Sequence, residues 1–586
     1  MADNSVYSLR SLGYSEILKR NMQLAKTVEG RAFEVDILSN ITVNPIKEIL
    51  EYYLRTLSLN PLTRFGNYDN IIQDSFTLPN ADLIIVFYEL VNLSENFVTT
   101  VELLTDTELD ELIAKCKRDI DIIFSNLSQK PFVLFNKFSS AAFSIPVTSK
   151  KNIDFIEQEL NDYLASKKPA NTRLIDLNKL FCTIGIDNAI DTKKFGKYKS
   201  LYKIDFLKLY ISSIENLLLR RAGKLKKALV FDCDNTLWKG VIGEDGPAGI
   251  DMSPKSENGK YFYQVQQIAA ALSQKGVLIC LCSKNNLSEV ESLFRHTDMV
   301  IKQSHIVTHR INWSNKDENL KEIAAELNIG LDSLVFIDDS DFEINLIRDR
   351  VPEVFAYAVP ANLQEYPGMV MEIAQRYFNL EPLKEDLQKV QQYKEQAKRA
   401  EELNNFTDID TYLATLETTI LVRKNQRDQI ARIAQLTQKT NQFNLTTKRY
   451  SETEIEGFIN DSGDCIFTIE VSDKFGSSGL TGVIILKEAD KERGTINIDS
   501  FLMSCRIIGR KIETKFLDYV LDFCIHENYK VVTSSYVTTK KNSQVKDFYL
   551  NHQFEVLESS EDAATYKLEL ENYRPVNIDF IQLIEE

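Results

Sequence analysis

The stretch ALVFDCDNTLW, residues 228–238, decides how the rest of the chain is read. Four apolar residues, Ala228 to Phe231, make a strand-length run that delivers two carboxylates, Asp232 and Asp234, at its C-terminal end. In a parallel sheet that end is where ligands bind. Side chains at i and i+2 share one face of an extended strand, so both carboxylates can approach one metal and one phosphorus atom. A hard cation such as Mg2+ takes oxygen ligands and keeps phosphate as a partner.

The segment around this stretch, 225–380, alternates strands and helices, which predicts an α/β domain on a parallel sheet. Helices are expected near Tyr261–Lys275, Leu287–Arg295 and Lys316–Leu327, with strands at Val277–Cys282 and Ser333–Ile337. Ser283 then follows a strand, Lys316 opens a helix, and Asp338 and Asp339 end a strand. From Asp232 to Ser283 is 51 residues and from Ser283 to Lys316 is 33, which leaves no room for a large inserted cap. An uncapped site is open to a substrate attached to something large.

The ordered set DxDxT, Ser, Lys and paired Asp resembles the haloacid dehalogenase superfamily. That resemblance implies roles. Asp232 would be the nucleophile that forms an aspartyl-phosphate, and Asp234 the general acid/base. Thr236, Ser283, Lys284 and Asn285 would bind substrate and phosphate, with Lys316 neutralising developing charge. Asp232, Asp234, Asp338 and Asp339 would hold Mg2+, with Asp338 favoured as a direct ligand. The longer motifs FDCDNTLWKGVIGEDG, CSKNN (282–286), RINW (310–313) and FIDDSDFE (336–343) resemble the FkbH-like branch, whose members load a glyceryl unit onto an acyl carrier protein. The resemblance implies a phosphorylated three-carbon donor similar to 1,3-bisphosphoglycerate and a carrier-protein thiol as acceptor, in polyketide or other secondary-metabolite biosynthesis. The Asn-Pro usual after the paired aspartates is Ser340-Asp341 here. A plain small-metabolite phosphatase is the alternative.

Cys233, between the two aspartates, has two readings. In a glyceryl-transferring relative its thiolate would hold the acyl unit; alternation along the strand makes it a buried cysteine pointing away. Cys280 and Cys282 read as core thiols. Trp238 and Trp313, the two tryptophans, both fall in site motifs and line the pocket or pack in the core.

The first segment, 1–222, alternates Phe33–Leu38, Leu83–Tyr88, Pro131–Phe135 and Leu174–Leu177 with helical patterns at Asn44–Leu57 and Glu108–Ser125, another parallel sheet. VDILSNIT places Ser39 and Asn40 after its first strand and resembles a degenerate nucleophile block of SGNH-type hydrolases. All five histidines lie at position 296 or beyond, so no Ser-His pair can form within this segment, and a non-hydrolytic SGNH-like domain is expected. A basic run, Arg220 to Lys227, leads into the central domain; it reads as a solvated helix end or a docking surface for an acidic carrier.

Residues 381–410 are charged and glutamine-rich and predict a connecting helix. The segment 411–586 has longer β-rich runs, Thr418–Val422, Cys465–Val471, Leu480–Lys487 and Ile496–Leu502, then a helix near Lys511–His526, an α+β pattern. It resembles GCN5-related N-acetyltransferases (GNAT). The resemblance implies that Arg506, Gly509 and Arg510, with Asn542 and Tyr549, bind coenzyme A or a phosphopantetheine arm, Tyr549 acting as the acid of an active acetyltransferase. Lys511 and Gln553 stand where that family has glycine. N-acyl transfer through this domain is a further alternative.

The net charge of −16 over 586 residues disfavours a broad nucleic-acid surface. Eight cysteines are too sparse for a disulfide framework. No apolar run is long enough to span a bilayer, and MADNSVYSLR lacks a signal-peptide pattern, so a cytoplasmic protein without membrane partners is expected.

Overall fold

The computed structural model describes residues 9–586 except 30–31, 80, 144–150, 381–390, 394, 396–398, 400–401, 403–405, 407, 491, 540 and 577. Most of the expected connecting helix at 381–410 lies outside the described residues. The chain packs as two compact units, Val6–Leu218 with Tyr450–Ile455, and Leu219–Arg449 with Glu456–Glu586. The central and C-terminal sheets therefore share one unit. The class is mixed α/β, with two parallel, doubly wound sheets and one mostly antiparallel sheet.

In the first unit, β1 (Ala32–Ser39), β2 (Asn60–Phe65), β3 (Leu83–Phe87), β4 (Val133–Asn136) and β5 (Thr172–Ile175) are ordered β2-β1-β3-β4-β5, all parallel. The sequence reading missed β2, an edge strand containing Pro61 and exposing Leu62 and Phe65. A proline without a backbone donor is tolerated there because an edge strand has one unpaired side. β3 and β4 are buried throughout, as strands covered by helices on both faces must be.

The central sheet contains β6 (Ala228–Phe231), β7 (Leu278–Ser283), β8 (Ile306–Ile311), β9 (Leu334–Asp338) and β10 (Phe355–Ala358), in the order β10-β9-β6-β7-β8. Successive connections leave β6 first toward β7 and later toward β9, so the order reverses between β6 and β9. In doubly wound sheets that switch point opens a crevice at the strands' C-terminal ends. The core beneath it includes Val230, Cys280, Cys282, Leu320 and Phe336, so the two strand cysteines pack as core residues. Each such buried large side chain is worth about 1.5–3 kcal/mol relative to exposure.

The third sheet is built from β11 (Thr418–Lys424), β12 (Phe443–Asn444), β13 (Cys465–Asp473), β14 (Gly476–Asp490), β15 (Thr495–Met503), β16 (Val531–Val537), β17 (Glu555–Ser559), β18 (Ala563–Glu569) and β19 (Ile581–Glu585). Its order is β17-β18-β16-β15-β14-β13-β11-β19, with β12 on β15. β15 and β16 are parallel and pair only from Thr495 to Ile498. Beyond Ile498 they diverge, and β12 takes the freed edge of β15, Phe443 opposite Met503 and Asn444 opposite Leu502. Among the described residues, no helix is long and apolar enough to cross a membrane.

Candidate active site at the switch point of the central sheet

Asp232 stands one residue beyond β6, its N–H donating to the Ile337 carbonyl at 2.9 Å. The chain then turns sharply: Thr236 and Leu237 N–H groups both donate to the Cys233 carbonyl, and Asn235 takes a left-handed φ of +49°. Asparagine tolerates that conformation better than most residues. The turn directs Asp232, Asp234 and Thr236 into the crevice, while Asp338 and Asp339 reach it from the end of β9.

Lys316, the first residue of the helix Lys316–Glu326, bridges the carboxylates. Its Nζ is 2.8 Å from Asp232 Oδ1 and 2.7 Å from Asp338 Oδ2, and all three side chains are buried. Burial works against the Lys316 charge, but Asp232 and Asp338 outweigh it and hold the ammonium above its ordinary range. Burial pushes the Asp232 carboxyl up against the pull of Lys316, and the charge of Asp338 adds to the rise. Asp339 is raised by burial of its carboxyl and by Asp232.

Asp232, Asp338 and Asp339 each offer one oxygen within 4.8 Å of the others. Asp338 is already engaged by Lys316 and by the Ser340 N–H on Oδ1 at 2.9 Å. Asp234 stands outside this cluster. Its Oδ1 accepts from Trp238 Nε1 at 2.9 Å and the Ile242 N–H at 3.1 Å, and its Oδ2 from Asn285 Nδ2 at 3.0 Å. The expected four-carboxylate set is thus three carboxylates, with Asp234 oriented separately. Asn285 also reaches Ser283 Oγ at 3.0 Å, tying Ser283 to Asp234. Lys284 pairs with Glu343 at 2.7 Å. Thr236 is fully buried, and its Oγ1 has no hydrogen-bond partner among the described residues.

Cys233 is fully buried, and burial together with Asp232 raises its thiol well above the ordinary range. The residue belongs to the turn after β6, and Asp232, Asp234, Ser283 and Lys316 all act on its thiol. The two tryptophans divide. Trp238 is buried and orients Asp234, whereas Trp313 is 71% exposed, its indole N–H donating to Asn286 at 3.2 Å. Between Asp232 and Lys316 the described residues form short helical turns over 242–249, the helices Gly259–Gln274 and Leu287–Leu293 and the strands β7 and β8, and no inserted domain.

The sites expected in the flanking segments come out differently. Ser39 donates to the Ile41 carbonyl at 2.7 Å and accepts the Ile41 N–H, closing its own turn. Its neighbour Asn40 is buried and bonded to the backbone of Glu89. Glu89, which no sequence motif marks, has a buried carboxyl that accepts from Asn136 at 3.1 Å and is pushed up to about 7 by desolvation.

In the C-terminal domain, Arg510 is buried with Nη2 2.7 Å from Asp473, while its Nε and Nη1 have no hydrogen-bond partner among the described residues. Asn542 is fully buried; its Nδ2 donates to the carbonyls of Asn444 and Val537, both at 2.9 Å, and its Oδ1 accepts the Thr539 N–H. Tyr549 is buried, and burial keeps its hydroxyl protonated. Gly509, at φ +80°, provides the turn before the helix Ile512–His526, and Arg506 lies in the loop ahead of it. An arm lying along β15 would need the backbone edge that residues 443–445 occupy, Leu445 N–H on the Phe501 carbonyl and the Val537 N–H on the Leu445 carbonyl.

The class this geometry defines is an α/β protein whose central domain is a doubly wound parallel sheet with a carboxylate cluster at its switch point. Among solved structures, the chain is similar to the N-terminal part of the protein BF1531 from Bacteroides fragilis, described as containing a phosphatase domain complexed with Mg. That likeness has 22% identity and a TM-score of 0.50, and spans 63% of this chain and 99% of the other. It is a likeness of fold. A Vibrio cholerae spermidine/spermine N-acetyltransferase, SpeG, aligns with 26% of this chain and 95% of its own at 15% identity and a TM-score of 0.22. No known family profile matches the chain, and no curated protein matches it.

Proposed function

We propose that the central domain is a Mg2+-dependent phosphoryl-transfer centre that removes phosphate from a small phosphorylated substrate. The observation that carries this reading is the convergence of Asp232, Asp338 and Asp339 around Lys316 at the switch point. An all-oxygen donor set suits a hard cation, and the Bacteroides fragilis phosphatase domain is described with Mg. Asp232, Asp338 and Asp339 would hold the ion, Asp339 being the member least engaged by other groups. When bound, Mg2+ would draw charge from the phosphoryl oxygens.

The chain's own residues do the rest. Asp232 attacks phosphorus; its new oxygen–phosphorus bond forms as the bond to the leaving oxygen breaks, and Asp234 passes a proton to that oxygen. A water then attacks the aspartyl-phosphate, gives its proton to Asp234, and releases inorganic phosphate with Asp232 restored. Thr236 Oγ1, Ser283 and Asn285 offer hydrogen bonds to the phosphoryl oxygens, and Lys316 offsets their charge.

The finer reading is that the substrate is a phosphorylated three-carbon acyl donor whose acyl unit passes to the thiol of an acyl carrier protein: the thiol attacks the acyl carbon, loses its proton and expels the acyl phosphate as inorganic phosphate, while Asp232 removes the phosphate ester. The motif resemblance and the lack of an inserted domain between the motifs support it, as do Trp313 and Phe342, exposed at 71% and 70% within motif stretches. Exposed aromatic side chains are common anchors for a protein partner. With Cys233 buried, direct transfer to the carrier thiol fits better than an enzyme-bound thioester. Incubating the protein with Mg2+, 1,3-bisphosphoglycerate and a holo carrier protein tests both levels. Phosphate release with a glyceryl mass gain on the carrier supports transfer, release without mass gain leaves a phosphatase, and no release defeats the proposal.

A further inference from the structure

A cavity of about 360 Å³ opens at the other end of the central sheet, away from the carboxylates. The residues leading into β6, β7 and β9 form one wall, among them Lys226, Val277 and Asp332. The C-terminal domain supplies the opposite wall, with Arg432 and Lys439 from the helix Ile430–Lys439, Arg506 from the loop after β15, and Lys541. A space of this size falls in the range of small-ligand pockets.

The charge of the lining is lopsided. Nine lysine and arginine side chains and one carboxylate, Asp332, face the cavity in a chain whose overall charge is −16. Asp332 is already shared: Lys541 pairs with its carboxylate, and Lys226 Nζ donates to its backbone carbonyl at 2.6 Å. Arg506 Nη1 and Gln442 Oε1 are buried with no hydrogen-bond partner among the described residues. Desolvation, with Lys541 and Lys224 nearby, pushes the buried Lys226 ammonium down to about 7 despite Asp332. So many like charges round one cavity repel each other, and an anion among them relieves the repulsion. Leu225, Ile329, Tyr393 and Leu436 add an apolar wall, which an inorganic ion would leave uncovered.

We propose that this interdomain cavity binds a small organic phosphate or diphosphate. Its charged head sits among Lys226, Lys439, Arg506 and Lys541, and its body lies against Leu225, Ile329 and Leu436. Of the five C-terminal positions expected to bind coenzyme A or pantetheine, only Arg506 lines this cavity. The proposal stands whether or not the carboxylate site is a phosphatase, since the two lie at opposite ends of the sheet.

Titration calorimetry of the full chain in EDTA, with inorganic phosphate, inorganic pyrophosphate and adenosine 5′-diphosphate as probes, tests it. Expected is saturable binding of a diphosphate, tightest for the organic one, weakened at least about tenfold by K439E and by K541E but not by S283A at the carboxylate site. Since K541E breaks a pair that also joins two elements, the folded wild type gives a second readout: the diphosphate should protect Lys439 and Lys541 from amine acylation, read by peptide mass spectrometry. Binding lost with S283A and kept in K439E would move the anion to the carboxylate site and overturn the proposal. So would the absence of both binding and protection, or equal binding of inorganic phosphate and the organic diphosphate.

Discussion

The ammonium of Lys316 lies 2.8 Å from Asp232, a pair joined across 84 residues and buried at the switch point of the central sheet. The same ammonium holds Asp338, so two carboxylates at the ends of neighbouring strands share one cation. Replacing Lys316 by methionine leaves both carboxylates buried without it. Breaking a buried ion pair costs about 3–5 kcal/mol, and losing the charge that offsets the phosphoryl oxygens costs about 100- to 1000-fold in rate. K316M should therefore melt lower and release phosphate far more slowly, whereas D232N should abolish release. EDTA should stop release and added Mg2+ restore it, as followed by a phosphate assay.

Cys233 should prove dispensable for phosphate release. The thiol is buried, and C233A removes one heavy atom from a packed site at a cost of about 1 kcal/mol. Release by C233A should stay within a few-fold of wild type, and intact mass of wild type during turnover should show no acyl adduct on that cysteine. An adduct lost in C233A would restore the thioester reading.

Trp238 and Trp313 should behave as opposites. W313A removes a side chain that is 71% exposed and should shift stability by no more than about 0.5 kcal/mol, its effect appearing in KM. W238F removes the N–H that orients Asp234 and should cost about 1–2 kcal/mol together with kcat. Fluorescence separates them, since W313A leaves the buried, blue-shifted emitter and W238F the exposed one.

Glu89 gives the first unit a pH-dependent stability. Its carboxyl is buried and raised to about 7 from 4.5. A folded-state value above the unfolded one means that the stability tied to the protonated form is fully present below 4.5 and is lost as pH rises through 7. E89Q should stabilise by up to about 3 kcal/mol at pH 8 and by little at pH 4.5. Calorimetric melting at the two pH values checks this; an equal effect at both would refute it.

Arg510 should report on folding. Its guanidinium is buried on Asp473, which Arg399 also holds at 2.8 Å. R510M should lower the stability of the C-terminal sheet by about 3 kcal/mol, seen as faster amide exchange in β11 and β13, and phosphate release should persist.

Much of the protein was legible in the sequence. The apolar run Ala228–Phe231 fixed a buried parallel strand, and Asp232, Ser283, Lys316 and Asp338 could each be placed at a strand end or helix start because turn position follows from local pattern. The strands missed include β8, β10 and β17 to β19 as well as two of another kind. β2 exposes its apolar residues at a sheet edge, and β12 is two residues long, held by β15 rather than by any propensity of its own.

Roles that depend on distant partners were beyond local pattern. The pairing of Arg510 with Asp473 and the bond from Asn542 to the Asn444 carbonyl join residues 37 and 98 positions apart. The basic run at Arg220–Lys227 read as a solvated end, and folding turned part of it into the wall of a cavity. The sequence by itself determined the α/β class, the order of the site motifs and the absence of histidine before residue 296, because these are matters of residue type and spacing. Only the tertiary structure decided which charges meet. The energy of an ion depends on burial and on neighbours within a few ångströms, and those neighbours come from far along the chain.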